Sequence, residues 1–233
     1  MINTIIGNIR KGKTSFLVCS ALKNSLNAEK LTKFKKNKIK LINEGFTMPQ
    51  NNEFGLYSCN TLEINYNDYK YINFKSVKID VKRLFLGSGL YILPNSTIAI
   101  EEAQRYYQCR EFTKFSTLQA LFFQTSGHYG IDIFLDTQDI TNLDKNIRNI
   151  TQITEIKRFE IYNKNNTLIN IANQNNFYKI VYYVKEFNNI IDYGNGKNET
   201  EKKYTFYINP FICYNSFNQD KTFYPEDKTT PIL

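Results

Sequence analysis

The chain has 233 residues, of which 42% are hydrophobic and 22% are charged. This length suffices for one large α/β domain with a full core, and a second small domain is permitted but not required. The formal net charge of +8 favours an anionic partner such as a nucleic acid or a phospholipid surface, although a merely soluble basic surface has the same signature. No stretch approaches the ~18–20 apolar residues of a membrane span, so we expect no transmembrane segment.

The cysteines and the single histidine, His128, give no spacing typical of a zinc site or a disulfide framework. The four cysteines are Cys19, Cys59, Cys109 and Cys213. Scattered in this way, they are expected to be reduced thiols of a cytosolic protein. The chain also enters its first predicted strand without the charged leader and apolar segment of a signal peptide.

The first predicted elements are a strand over residues 2–6, a glycine-rich loop and a helix over residues 15–26. Residues 7–14 read Gly-Asn-Ile-Arg-Lys-Gly-Lys-Thr and fit the pattern G-x-x-x-x-G-K-[ST]. This pattern predicts a phosphate-binding loop, in which backbone N–H groups and the helix N-terminus face the phosphates. Lys13 then reaches the outer phosphates and Thr14 holds Mg²⁺; a simple glycine-rich turn is the alternative. The predicted nucleotide-binding residues are Gly7, Asn8, Ile9, Arg10, Lys11, Gly12, Lys13, Thr14 and Ser15.

Residues 29–40 carry six lysines interleaved with apolar side chains, and they are compatible with either a basic helix or a loop. The segment is either a solvated insertion or a patch that neutralises DNA phosphates. Residues 55–59 and 71–86 then alternate apolar and polar side chains, most clearly at 77–81, which predicts short strands. The alternative for the last of these is the start of a helix that ends near Gly87.

A second informative segment lies at residues 96–104, where a short apolar run opens directly onto Glu101, Glu102, Ala103 and Gln104. The pattern is typical of a Walker B strand. We expect Glu101 to lie on the metal side, beside Thr14, and Glu102 to be the catalytic base that polarises the attacking water. An apolar strand followed by two acids is common in α/β proteins, and the upstream loop is what favours the catalytic interpretation.

The next predicted elements are a helix over residues 111–123, an apolar strand over residues 131–138 that ends in polar groups, and a short helix over residues 144–150. Because the carboxyl ends of parallel strands face the ligand crevice, Gln138 is expected to approach the γ-phosphate or the attacking water; an uninvolved turn glutamine is the alternative. Arg148 is either a charge-stabilising arginine or a surface ion-pair partner. Four antiparallel strands with Asn/Gly turns, notably at 194–196, are predicted at residues 158–162, 167–172, 177–186 and 203–208. Their tyrosines either pack on the sheet or, alternating with lysines, hold single-stranded DNA.

Several of these segments occur together in a characteristic order. They are the N-terminal loop, Tyr57-Ser58-Cys59-Asn60, Ile98-Ala99-Ile100-Glu101-Glu102-Ala103-Gln104, His128-Tyr129-Gly130-Ile131-Asp132, Thr137-Gln138 and Ile147-Arg148. In this order and spacing, the chain resembles the zonular occludens toxin-like ATPases of filamentous phages. The resemblance runs from residue 1 to about 162, with a weaker echo at Tyr214-Asn215-Ser216.

The resemblance implies an α/β fold: a RecA-like P-loop NTPase of the additional-strand class, with a mostly parallel central sheet, akin to the FtsK and HerA motors. It implies an ATP-hydrolysing motor, using ATP and Mg²⁺, that moves or packages phage DNA during virion assembly or extrusion. Lys13, Thr14, Glu102 and Gln138 match the working positions of the family. Residues 1–162 would form the ATPase core, and residues 163–233 a small β-rich extension packed on it.

Motors of this class complete their sites with a neighbour's arginine, so the resemblance implies a homo-oligomeric ring with Arg105, Arg110 and Arg148 as candidates. Whether the DNA is single- or double-stranded is left open. Without the membrane span typical of the family, the chain is expected in the host bacterial cytoplasm. There it either works as a packaging motor or lies at the inner membrane face, bound to a membrane-anchored or coat-protein partner.

The chain departs from the family at two site positions. Glu101 stands where the family has aspartate, and Gly127 stands where an arginine commonly precedes the histidine. The glutamate is one methylene longer and either holds Mg²⁺ through water or weakens hydrolysis. A nucleotide-binding assembly scaffold with little or no hydrolysis is therefore the alternative function.

Overall fold

The computed structural model describes residues 1–8, 10–45, 53–60, 62–66, 72–81, 84–86, 89–90, 92–109, 115–170 and 177–207, with residues 63–66, 72–75, 85–86 and 89–90 described by their backbone alone. The helices are α1 (Lys13–Ser25), α2 (Ala28–Asn43), α3 (Thr117–Thr125), α4 (Lys145–Arg148) and α5 (Ile190–Asn195). The strands are β1 (Ile2–Ile6), β2 (Leu56–Ser58), β3 (Glu63–Tyr66), β4 (Ile72–Lys75), β5 (Val77–Lys78), β6 (Phe85–Leu86), β7 (Gly89–Leu90), β8 (Thr97–Ile100), β9 (Asp132–Asp136), β10 (Gln152–Tyr162), β11 (Leu168–Ile169), β12 (Lys179–Phe187) and β13 (Thr200–Phe206).

A nine-stranded sheet forms the centre of the fold, in the order β13-β12-β10-β1-β9-β8-β2-β5, with β11 paired to β10. The six strands from β10 to β5 run parallel, whereas β12 and β13 are antiparallel additions at one edge. Strand β9 lies between β1 and β8, and so separates the strand of the glycine-rich loop from the strand of the two glutamates. The predicted α/β fold with a mostly parallel sheet, an additional central strand and extra C-terminal strands is confirmed.

Both faces of the sheet are covered, which explains why β8 and β9 contain continuous apolar runs, Ile98–Ile100 and Ile133–Leu135, rather than an alternating pattern. On one face, Ile5 packs in a core cluster with residues of α1, including Phe16 and Leu17. On the other face, Ile6 joins a cluster with Phe122 of α3 and Ile147 of α4. Complete burial of each such side chain contributes about 1.5–3 kcal/mol, so the two clusters hold the strand ends in fixed positions.

The lysine-rich segment is a helix, which decides between the two alternatives left open by the sequence. Asn27 caps α2 by accepting a hydrogen bond from the Lys30 backbone N–H at 3.1 Å. Phe34 is the buried residue of this helix, and its lysines are mostly exposed. Lys30 instead forms a salt bridge of 2.5 Å with Asp132, which fixes α2 to the start of β9.

The C-terminal segment follows the prediction in its strands and differs in one turn. β10, β11, β12 and β13 pair antiparallel as expected, and β10 begins six residues earlier, at Gln152. The predicted turn at 194–196 is wrong, because residues 190–195 form α5. Asn189 caps that helix by accepting from the Asp192 N–H at 2.8 Å, and Gly196 ends it with a φ of +60°. A Gly-Asn-Gly sequence is compatible with the C-terminus of a helix as well as with a hairpin turn.

Several predicted features lie partly or wholly outside the described residues. Ile9, Arg110, residues 111–114, 171–172 and 208, Cys213 and the echo at 214–216 belong to this group. The helix predicted over 111–123 is seen as α3, whose Ser116 and Gln119 form a reciprocal capping box. Among the described cysteines, Cys19, Cys59 and Cys109 form no disulfide bond. Among the described residues, no helix has the length and apolar character needed to cross a bilayer.

Candidate nucleotide-binding site

The glycine-rich loop connects the carboxyl end of β1 to the first turn of α1. Gly7 has a φ of +151° and Gly12 a φ of +76°, values that side-chain-bearing residues rarely adopt. Gly12 also precedes α1 directly and supplies no side-chain cap, so the first N–H groups of the helix face the loop. This geometry is that of an anion site at a helix N-terminus.

Space as well as conformation requires glycine at position 12. A Cβ atom there would lie 2.9 Å from the ring of Phe159, a residue of β10. The neighbouring helix turn is fixed from the same side, because the Tyr182 hydroxyl donates to Ser15 Oγ at 2.7 Å and Ser15 donates to the Gly12 carbonyl at 2.9 Å. Side chains of β10 and β12 therefore pack against the end of the loop and the first turn of α1.

We expect Gly12→Ala to weaken nucleotide binding by about tenfold or more, because a left-handed φ costs about 1–2 kcal/mol for alanine and the Phe159 ring must move as well. Equilibrium titration with a fluorescent ATP analogue measures the loss. Gly127→Ala is the matched control, since nothing lies within 4 Å of a Cβ at position 127. Equal binding by the unaltered chain and by Gly12→Ala would contradict this account of the loop.

Lys13 and Thr14 occupy the first turn of α1 and both face the loop. Lys13 Nζ donates to the Asn8 carbonyl at 3.1 Å, so the side chain already reaches back over the loop. Partial burial lowers the pKa of Lys13, whereas the nearby carboxylates of Asp136 and Glu102 oppose this effect. The ammonium group is thus held among acidic groups at the position where a polyphosphate would enter.

Asp136, the last residue of β9, connects the two predicted motifs. Its carboxylate accepts a hydrogen bond from Thr14 Oγ1 at 2.9 Å and another from the backbone N–H of Glu102 at 2.5 Å. The side chain is 1% exposed. Burial raises the pKa of Asp136, and the hydrogen bonds from Glu102 and Thr14 work in the opposite direction.

Asp136 is the site residue that sequence reasoning missed. The sequence does contain a signal, since Asp136 ends an apolar strand two residues before the proposed sensor Gln138. Gln138 itself is exposed at the same edge of the sheet. Between them, the Thr137 N–H donates to the Ile5 carbonyl at 3.0 Å, which continues the pairing of β9 with β1 up to the loop.

The two glutamates after β8 differ in surroundings. Glu101 is 6% exposed and accepts a hydrogen bond from Asn60 Nδ2 at 2.9 Å. Its backbone N–H donates to Cys59 Sγ at 3.2 Å, and burial together with the charge of Glu101 raises the pKa of that thiol to about 12. Thr14 is thus hydrogen-bonded to Asp136, while the described partner of Glu101 lies after β2, on the far side of β8.

Glu102 is half-exposed and has a left-handed φ of +46°, a strained conformation of the kind often found at functional sites. Its carboxylate forms an ion pair with Arg105, one of the arginines proposed to act on a neighbouring subunit. Arg148 is partly buried, and its Nε atom has no hydrogen-bond partner in the part of the chain that the structure describes. Around the Asp136 carboxylate, the structure brings together Lys13, Thr14 and Glu102.

Residues 1–191 match the family model described as Zonular occludens toxin (Zot). The fold is similar to that of the N-terminal domain of zonular occludens toxin from Neisseria meningitidis, at 16% identity over 92% of this chain and 98% of that chain, with a TM-score of 0.48.

The fold is also similar to that of the genome packaging NTPase B204 from Sulfolobus turreted icosahedral virus 2. In complex with AMP, B204 is 13% identical over 86% of this chain and 95% of that chain, with a TM-score of 0.44. In complex with AMPPCP, it is 15% identical over 81% of this chain and 97% of that chain, with a TM-score of 0.42. No curated protein sequence matches the chain significantly.

Proposed function

The chain belongs to the zonular occludens toxin family, and on that premise we propose that it is an ATP-hydrolysing motor that moves or packages phage DNA during virion assembly or extrusion. One observation carries the proposal. The Thr14 hydroxyl and the Glu102 N–H, from the two predicted motifs, meet on a single buried carboxylate beside the Lys13 ammonium. A cation, oxygen ligands and helix N–H groups at one edge of a parallel sheet suit a nucleotide triphosphate with Mg²⁺.

In this proposal, residues 7–15 hold the phosphates through the backbone and Lys13, and ATP is the nucleotide. Thr14 and an acidic side chain hold Mg²⁺, which neutralises phosphate charge when bound. The sequence pattern assigns the acidic partner of Thr14 to Glu101, whereas the hydrogen bond from the Thr14 hydroxyl favours Asp136. Glu102 accepts a proton from the attacking water, and Gln138 orients that water.

The proposed motor acts on DNA and assembles with other copies of the chain. The net charge of +8 and the exposed lysines of α2 support a polyanion such as DNA. A homo-oligomeric ring would supply an arginine from each neighbour, with Arg105, Arg110 and Arg148 as candidates. We place the motor in the host bacterial cytoplasm or at the inner membrane face, where it would meet a membrane-anchored or coat-protein partner.

The second candidate is a nucleotide-binding assembly scaffold with little or no hydrolysis. It is favoured by the ion pair between Glu102 and Arg105, since the arginine occupies a carboxylate oxygen that would otherwise accept the proton of the attacking water. The glutamate at position 101, where the family has aspartate, also favours the scaffold.

Steady-state ATP hydrolysis by the purified chain tests the proposal. The rate is measured without DNA, with single-stranded DNA and with duplex DNA, and Glu102→Gln serves as the blank. Stimulation by one DNA form is the expected result, and it shows whether the motor acts on single-stranded or on duplex DNA. ATP binding without turnover in all three conditions would replace the motor with the scaffold.

A further inference from the structure

The Asp136 carboxylate stands out because it is the most deeply buried acidic group at the site and serves two elements at once. One oxygen accepts from the Thr14 hydroxyl on α1, and the other accepts from the Glu102 N–H after β8. A buried carboxylate is costly unless hydrogen bonds or cations compensate its charge. Here both oxygens are directed to groups that the proposed reaction uses.

The order of the strands explains why Asp136 reaches Thr14. β9 is the direct neighbour of β1, and Asp136 is in register with Ile5. Adjacent strands lie about 4.8 Å apart, so β8 is removed from β1 by about twice that distance. A carboxylate at the end of β9 therefore needs only a short side chain to contact the first turn of α1.

Glu101 starts from the more distant strand. Its side chain accepts from Asn60, which follows β2, on the side of β8 away from β9. The described contact thus connects Glu101 to the neighbouring loop and holds it in place there. Asp136 thus contacts α1, whereas Glu101 contacts the loop after β2, and the sequence pattern does not reveal this difference.

We propose that Asp136 is the positioning residue of the metal side: it holds the Thr14 hydroxyl, and through the Glu102 N–H it fixes the turn of the catalytic base. Glu101, which accepts a hydrogen bond from Asn60, then contributes less to the Mg²⁺ response than Asp136 does. The chemistry suits Mg²⁺, which prefers a few hard oxygen ligands from the protein together with phosphate oxygens. The inference rests on the proposed nucleotide site and names the acid that this site uses.

The test measures nucleotide affinity as a function of Mg²⁺, with a fluorescent ATP analogue and EDTA as the metal-free reference. Asp136→Asn is expected to lower the apparent Mg²⁺ affinity by about 10–100-fold, as changes in the groups that orient metal ligands do, while metal-free nucleotide binding is kept. Glu101→Gln is expected to lower the apparent Mg²⁺ affinity by less than about tenfold, below the range expected for Asp136→Asn. Asp132→Asn, the same change at the opposite end of β9, is the matched control.

A double-mutant cycle distinguishes positioning from a general loss of structure. If Asp136 acts through Thr14, then Asp136→Asn adds little to the loss caused by Thr14→Ala, because contacting residues are coupled. Thr14→Ser keeps the hydroxyl and is expected to restore the Mg²⁺ response. Thermal unfolding without nucleotide verifies that each variant is folded.

The outcomes separate the inference from the function on which it rests. An unchanged Mg²⁺ response in Asp136→Asn, fully additive losses in the cycle, or a loss of Mg²⁺ affinity of about tenfold or more in Glu101→Gln would overturn the role of Asp136 while leaving the nucleotide site intact. If Asp136→Asn does not fold, Glu101→Gln still decides between the two acids. Absence of nucleotide binding by the unaltered chain would overturn the proposed function itself.

Discussion

Lys13→Ala is expected to abolish productive ATP binding. The Lys13 ammonium lies at the loop, in contact with the Asn8 carbonyl and near the carboxylates of Asp136 and Glu102. Truncating one partner of a desolvated, hydrogen-bonded charge pair costs about 2–5 kcal/mol, which corresponds to an affinity loss of about 30-fold or more. Equilibrium titration with ATP and Mg²⁺ measures this loss directly.

A second lysine provides the control for charge alone. Lys33 lies on α2, where it is exposed and pairs with Glu29, so Lys33→Ala lowers the net charge equally without touching the loop. Its ATP affinity is expected to equal that of the unaltered chain. Tight ATP binding by Lys13→Ala would mean that the loop does not hold the outer phosphates through this side chain.

The elements around the loop could be predicted from the sequence because their signals are local. β1 coincides with the predicted strand, and α1 begins two residues before the predicted helix start. An apolar run, two glycines and the Lys-Thr pair lie within a few positions of each other. Their joint occurrence therefore indicates both the conformation and the ligand class.

Asp136 could not be singled out in the same way. Its contact with Thr14 joins residues 122 positions apart, and it exists because β9 is inserted between β1 and β8. An acid at the end of an apolar strand is common in α/β proteins, and periodicity does not specify which strand will become the neighbour of β1. Strand order is a tertiary property, decided by packing on both faces of the sheet.

The sequence likewise predicts the pairing of the C-terminal strands but not their contacts with the glycine-rich loop. Their alternating pattern predicts antiparallel pairing, which the structure contains. The contact of Phe159 with Gly12 and the hydrogen bond from Tyr182 to Ser15 depend instead on β10 continuing past the end of β1. Through these contacts, β10 and β12 support the glycine-rich loop and the first turn of α1, which composition and periodicity alone do not indicate.

Glu102→Gln is expected to keep ATP bound and to stop its turnover. The amide has nearly the volume of the carboxylate, and the backbone N–H that donates to Asp136 is unchanged, so the strained turn is preserved. What is lost is the proton acceptor for the attacking water, and removal of a general base slows a reaction by about 10²–10⁴-fold. Phosphate release and ATP binding, measured on the same preparation, separate the two effects.

Glu29→Gln is the control for removal of a glutamate charge, since Glu29 is exposed on α2. Full hydrolysis by Glu102→Gln would remove Glu102 from the role of base. The comparison also bears on the ion pair with Arg105, which must open before the carboxylate can accept a proton. If the unaltered chain binds ATP but hydrolyses it no faster than Glu102→Gln does, the pair stays closed and the protein acts as a scaffold. A clear difference in rate means that the pair opens during turnover, as a motor requires.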